Sequence, residues 1–520
     1  MEIKTEVGYT KNIKCQDAHV ESTAEYVLPD YLGDVRKILF TSASVRPAGK
    51  LVGGDRVECS GIVAYNMIYL DAEDNLSSAE FTSDYDYSLK CPTENCRDIL
   101  ADTRVSGYSI RLVGPRKIAA KASVVGSAML TCDEKLCLDG DAISDRSDLE
   151  LAKRRINIRH TEISSTMERE YAEALTKLDS AIAEEVSVIH CDAKALVESA
   201  EYDDGSVKLK GKFRIGAVIK NGEAGAYLAE KTLNFEESVP FEKADENMKF
   251  LPDITLTSLK PVVNACEDGC EVVLSGILEL SVIGEKNDTV EIVTDGYLKE
   301  CASACSYEDF TYNEFLDLAS IKTSHSASIP RSEVETGKIR EVIFLNAEPR
   351  VDSLTRESDG IKILGEIKYS GVASELDEEG KISYLMLKFS SPFDINVNND
   401  CQNNEKIRHD IKVKAHSASA SIDSDNLSVS CSLEVTGVIC EEKSRNILTS
   451  MSVEDGESFV KEGGKIIVYY PTAEDTLFSV SKRFHTSSLK VAADNALTEA
   501  VMSRDNEERK LSGVKKLIIY

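Results

Sequence analysis

The sequence predicts a mainly β protein: three tandem antiparallel β-rich domains, sandwich- or barrel-like, then a small α+β module of strand-helix-helix-strand order. Three observations predict it. Apolar and polar residues alternate with period two over long stretches. One alternating block recurs three times at fixed internal offsets, and near Lys465 both charge balance and periodicity change.

The recurring block comes first. Ala43 precedes Val57, Cys59, Gly61, Val63 and Tyr65; Ala193 precedes Val207, Leu209, Gly211, Phe213 and Ile215; Ala347 precedes Ile361, Ile363, Gly365, Ile367 and Tyr369. The alanine stands 18 residues before the glycine in every copy. In the second copy Lys208, Lys210, Lys212 and Arg214 fill the alternate positions, which gives a strand with one apolar and one charged face. A glycine at mid-strand predicts a bulge, a bend or a close backbone approach. Each block closes on Phe81…Tyr87, Phe235…Pro240-Phe241 or Phe389…Pro392-Phe393. About sixty residues past each glycine a second alternating strand follows, at Ile118–Val124, Val272–Leu280 and Leu427–Val435, the last two after turn residues Asp268-Gly269 and Asp425-Asn426.

These blocks divide the chain into a lead-in of residues 1–29 and β-rich repeats at 30–150, 186–300 and 340–460. Linkers fall at 151–185 and 301–339. The first linker carries a helix signal over Ser165–Val186: Ser165-x-x-Glu168 reads as a capping box, with Met167, Tyr171, Leu175, Leu178 and Ile182 at helical spacing. Leu28-Pro29-Asp30-Tyr31 leads into a short amphipathic stretch ending near Leu39.

Residues 465–520 form the last module. They hold 9 basic and 7 acidic side chains, a net of +2, and leave −31 on the rest of the chain. Such a cap suits a docking module with its own partner. Ile466–Tyr470 reads as a strand, Asp475 as the N-cap of a helix bearing Leu477, Val480 and Phe484, and Thr486 or Ser487 as the cap of a second helix that Asn495 stops. Gly513–Tyr520 reads as the closing strand.

Composition limits function. With 61 Lys+Arg against 90 Asp+Glu, a net of −29 argues against nucleic acid and anionic membrane as partners. No apolar run approaches the ~20 residues that span a bilayer, and Met1–Glu6 lacks an export signal, so a cytoplasmic protein is expected. Fourteen cysteines are then expected to be mostly reduced and buried; no close cysteine pair has C-x-x-C spacing and no histidine stands at ligand spacing from one, which argues against zinc. The seven histidines, His19, His160, His190, His325, His409, His416 and His485, form no catalytic motif, and no P-loop, Rossmann or nucleophile-elbow pattern occurs. The acidic cluster Glu375–Glu379 reads as a solvated loop. No enzyme, cofactor or metal is expected.

Two resemblances add to this reading. Val468–Phe484, with Asp475-Thr476-Leu477-Phe478 and an aromatic six residues on, together with Asn495 and the Gly513…Leu517-Ile518-Ile519 ending, resembles a LysM domain. That resemblance implies a ligand groove at Asp475, Thr476, Leu477, Phe478, Asn495, Ala496 and Leu497. Leu28-Pro29-Asp30-Tyr31, the Val57–Tyr65 strand and the Pro-Phe closures are similar to the SPOCS domain of spore-coat proteins. Tandem SPOCS domains with a terminal LysM domain resemble the SipL-type family of spore-coat morphogenetic proteins. The resemblance implies a mother-cell protein at the forespore surface, whose LysM-like module binds a coat-basement ATPase of the stage IV A type. Other coat proteins are further partners. The alternative is a wall protein that binds peptidoglycan or N-acetylglucosamine polymers.

Overall fold

A computed structural model describes residues 6–91, 96–137, 146–179, 181–222, 225–334, 339–357, 360–376, 381–398, 407–423, 426–458, 466–497, 510–511 and 513–520. Asp377–Glu379 of the acidic cluster, Asp425, Cys401 and Thr498 lie outside them. The molecule is mainly β, with several antiparallel sheets.

One arrangement occurs three times. In the first, β1 (Glu6–Lys14) and β2 (Ala18–Val27) pair end to end with β7 (Lys117–Cys137), and β6 (Cys96–Gly114) pairs with the other edge of β7. Between them runs a meander of β3 (Val35–Gly53), β4 (Arg56–Asp71) and β5 (Leu76–Lys90). The second has β8 (Leu149–Ile163) and β9 (Met167–Asp179), the meander β10 (Val186–Asp203), β11 (Ser206–Asn221) and β12 (Ala226–Pro240), then β13 (Lys249–Cys266) and β14 (Gly269–Leu298). The third fuses the opening pair into β15 (Cys301–Pro330). Its meander is β16 (Ile339–Glu357), β17 (Gly360–Leu376) and β18 (Ile382–Asn398), followed by β19 (Ile407–Asp423) and β20 (Asn426–Ser458). In each, one apolar core lies between meander and closing sheet; Val57, Tyr65, Ile118 and Val124 share the first.

This corrects the sequence reading in three places. The lead-in 1–29 and the linkers 151–185 and 301–339 hold the same element, the strand that opens each arrangement. The helix expected over Ser165–Val186 does not form: Met167–Asp179 is strand β9, paired with β14. Positions i, i+4 and i+8 satisfy both a helical and a two-residue period, so Met167, Tyr171 and Leu175 could not separate them. A bulge opposite Val272/Val273 then shifts the phase, which places Leu178 off the strand alternation. The Pro-Phe closures are also not equivalent. Phe393 pairs with Gly365 as Phe235 pairs with Gly211 and Tyr85 with Gly61, whereas Pro240 pairs with Ser206 at a strand end.

The glycine expectation is met. Bulges fall at Pro47/Gly49, Val197/Ser199 and Val351/Ser353, beside the residues paired with Gly61, Gly211 and Gly365. A Cβ at Gly211 would lie 2.3 Å from the Leu196 carbonyl oxygen and 2.8 Å from the Phe235 ring.

Equivalent residues meet around a pseudo-threefold axis. Phe40, His190 and Phe344, spaced 150 and 154 residues apart like the repeated alanines, have ring centroids 4.9 to 5.5 Å apart. Leu39, Ile189 and Ile343 are buried with them. Burial lowers the pKa of His190 and keeps the ring neutral between two phenylalanines. The meanders also close into a ring, since β5 lies against β10, β12 against β16 and β18 against β3. At the other end Tyr9, Ile158 and Phe310 occupy equivalent positions in a second shared cluster.

Not all cysteines are reduced. Cys15–Cys91 and Cys96–Cys132 are disulfides, both in the first arrangement. Most described cysteines are free, and neither bonded pair could be named from the sequence because partners 76 and 36 residues apart leave no local spacing signal. Cys59, Cys270, Cys431 and Cys440 are free and buried, as expected.

Candidate functional site: the terminal module and the central seam

At the C-terminus β21 (Ile467–Tyr469) and β22 (Leu517–Ile519) pair antiparallel, with α1 (Leu477–Arg483) and α2 (Ser488–Asp494) between them. Among the described residues these elements follow in the order strand, helix, helix, strand. Its core is Leu477, Val480, Val491, Ala492, Leu511, Leu517 and Ile519.

The seven expected groove residues all lie in this module, but six have internal tasks and Phe478 packs outside it. Thr476, not Asp475, is the N-cap: its Oγ accepts from the Ser479 N–H, and the Ser479 hydroxyl accepts from the Thr476 N–H. Asp475 instead ties the preceding turn, accepting from the Thr472 N–H at 2.7 Å and the Tyr469 hydroxyl at 2.8 Å. Those donors, the Thr472 N–H foremost, hold its carboxyl below the usual carboxylate range. Asn495 donates to the Val491 and Ile518 carbonyls and accepts from the Ile518 N–H, which staples α2 to β22.

Ala496 and Leu497 terminate α2. Ala496 has φ +50°, its N–H reaches the Ala493 carbonyl, and the Leu497 N–H reaches the Ala492 carbonyl, the 6→1 and 5→2 pair of a Schellman end. Leu477 is core. Phe478 lies outside that core and is buried against Ala152 and Tyr297 of the second arrangement.

What the module leaves outside is the outer face of its sheet. Ile466, Val468 and Tyr470 alternate toward solvent, and Val468 stands opposite Ile518. Val468 is 50% exposed and Tyr470 69%; on the opposite face Leu517 and Ile519 are core and Tyr469 packs against them, while Ile467 remains 41% exposed. The signal was present in the sequence: every residue of Ile466–Tyr470 is apolar, and a two-stranded sheet can bury only one of its faces. Exposed Lys515 and Lys516 flank it.

A second polar centre lies where the three closing sheets meet. A cavity of about 440 Å³ takes residues from all three arrangements. Asp102, Asp253 and Asp410 line it from equivalent register positions on β6, β13 and β19. Lys412 bonds Asp102 at 3.1 Å and Lys414 bonds Asp253 at 3.3 Å, so lysines of the third arrangement reach both others. Among the described residues no group of three or more His, Cys, Asp or Glu side chains is placed to hold a metal.

Beside it a charged chain joins the first two arrangements. Thr131 donates to Asn12, Asn12 to Thr161 and Thr161 to the fully buried Glu285, which Arg159 grips with two nitrogens. Nearby, His160 contacts Glu162 at 2.9 Å and Asp288 at 2.7 Å. Glu162 also pairs with Arg97 and Lys243.

Burial alone would lower the pKa of His160, but the Asp288 and Glu162 carboxylates outweigh it and raise it to about 9. The folded pKa lies above the unfolded value near 6.5. This stabilisation is therefore complete below pH ~6.5 and is lost as pH rises to about 9. Urea titrations from pH 6 to 10 should show that decline, and His160→Gln should flatten it. A decline unchanged in the variant would remove His160 as its cause.

No helix among the described residues is long and apolar enough to cross a membrane. No protein-family model, curated protein or solved structure matches the chain.

Proposed function

We propose that this chain is a non-catalytic scaffold of three SPOCS-like β domains and a terminal LysM-like docking module, and that it tethers spore coat to the forespore surface in the mother cell. The module binds a soluble protein, the coat-basement ATPase of the stage IV A type that the family resemblance implies. The observation that carries this reading is the exposed apolar face at Ile466, Val468 and Tyr470. A solvent-facing apolar patch beside lysines suits a protein partner with an apolar, acidic surface. The resemblance assigns binding to the groove residues, but six of them spend their hydrogen bonds and packing inside the module and Phe478 is buried against the second arrangement, so the docking contact moves to the sheet face.

The test uses the full chain and the purified ATPase. Val468→Asp with Tyr470→Ser should weaken binding tenfold or more in a titration, because both lie on the contact and neither in the module core. Unchanged affinity would dismiss the sheet face. Retention of the full chain on purified peptidoglycan, without affinity for the ATPase, would replace the scaffold by the glycan-binding alternative.

A further inference from the structure

The terminal module touches the second arrangement through one compact contact. Phe478 is 4% exposed, although it belongs to no cluster inside its own module. Its ring stands edge-on to Tyr297 at 5.3 Å and meets Ala152, and both neighbours are themselves buried. One helical turn on, the Lys482 ammonium lies 2.6 Å from both oxygens of Asp295. The Tyr307 hydroxyl donates to the same carboxylate at 2.7 Å and so fixes its position. The Tyr297 hydroxyl donates to the Thr486 carbonyl at 2.6 Å, and a ring nitrogen of His485 lies 3.2 Å from the Leu298 carbonyl oxygen.

From this geometry we infer that α1 and the end of β14 form a releasable clamp, a socket that recognises an aromatic residue and a lysine four positions apart on a helix. The spacing follows from the helix itself, since positions i and i+4 share one face. Tyr297 and Ala152 receive the ring; Asp295 receives the ammonium. One ring, one part-exposed ion pair and two polar contacts make a small interface of mixed polarity, the kind through which domains of one chain separate and rejoin. Closed, the clamp holds the sheet face of the module in one orientation against the body. Open, it uncovers Phe478, so any partner that uses this ring competes with the chain's own socket. The clamp does not depend on the identity of the coat partner.

Hydrogen exchange on the full chain tests it with Asp295→Lys, Lys482→Glu, the two combined, and Phe478→Ala. Each single variant should speed exchange over residues 149–152 and 477–487 at least fivefold. The combined variant, with its charges swapped, should return to within twofold of the parent. Throughout, the amides of Val491 and Ile518 should keep their protection, because they belong to the module's own fold. Three results would each overturn the clamp: single variants that exchange like the parent, a combined variant no slower than the singles, or loss of protection at Val491 and Ile518 together with the contact.

Discussion

Reduction with excess thiol should lower the thermal midpoint of this protein sharply, and a Cys15→Ser/Cys132→Ser variant should show the lowered midpoint without thiol and no further response to it. Cys15 sits in the turn between β1 and β2, and Cys91 follows β5, so their bond ties the closing sheet to the meander. Cys96 and Cys132 face each other across β6 and β7. The bonds close separate loops with sequence separations of 76 and 36 residues. In the chain-entropy model each closure removes about 4 kcal/mol of unfolded-state freedom, an upper figure for each bond. The second arrangement uses weaker devices in the same region: the Ser164 N–H and hydroxyl bond Val282, and Lys286 pairs with Asp245 at 2.7 Å. Calorimetry in oxidised and reduced buffer decides the matter, and equal midpoints would show that the first arrangement does not depend on its cross-links.

Gly211→Val should cost about 3 kcal/mol or more, among the largest penalties of any single substitution in the β region. The added Cβ meets a backbone oxygen at 2.3 Å and an aromatic ring at 2.8 Å, and the oxygen belongs to a bulge that cannot move without breaking the ladder. Gly61 and Gly365 carry the same restriction, with carbonyl oxygens at 2.5 and 2.2 Å. Gly107→Val is the control, because nothing lies within 4 Å of its Cβ position. Urea midpoints of the two variants should differ clearly; a Gly211 variant as stable as the Gly107 variant would show that the bulge yields.

The mid-strand glycines were legible because alternation and a threefold repeat both point at them. Half-exposed strands with charged outer faces were equally legible: Lys208 and Arg214 lie outward on β11, paired with Glu236 and Glu230. The opening strands were hidden for opposite reasons. β9 has residues of good helical propensity at a spacing that fits two periods, and tertiary pairing with β14 decides between them. β15 has apolar residues such as Phe310, Tyr312, Phe315 and Ile321, but its Ser320–Ser328 stretch is Ser-, Thr- and His-rich and bulges at Ser306/Tyr307 and Phe315/Asp317 break the alternation, so no continuous hydrophobic stripe could be read. At the terminal module the elements were readable, but the use of each residue was not. Asp-Thr-Leu-Phe specifies a turn, a cap, a core residue and a plug in four consecutive positions, and only the docked structure separates these tasks.

The circle of meanders has a consequence for how such a gene can change. Each unit covers the rim of the next, and the third returns to the first, so three is a number the geometry fixes. Deleting a unit, or duplicating one, would leave two unpaired rims ready to stick to neighbouring molecules. Divergence must therefore proceed inside the units, and the unequal ones seen here, one cross-linked and one with its opening strands fused, record that constraint.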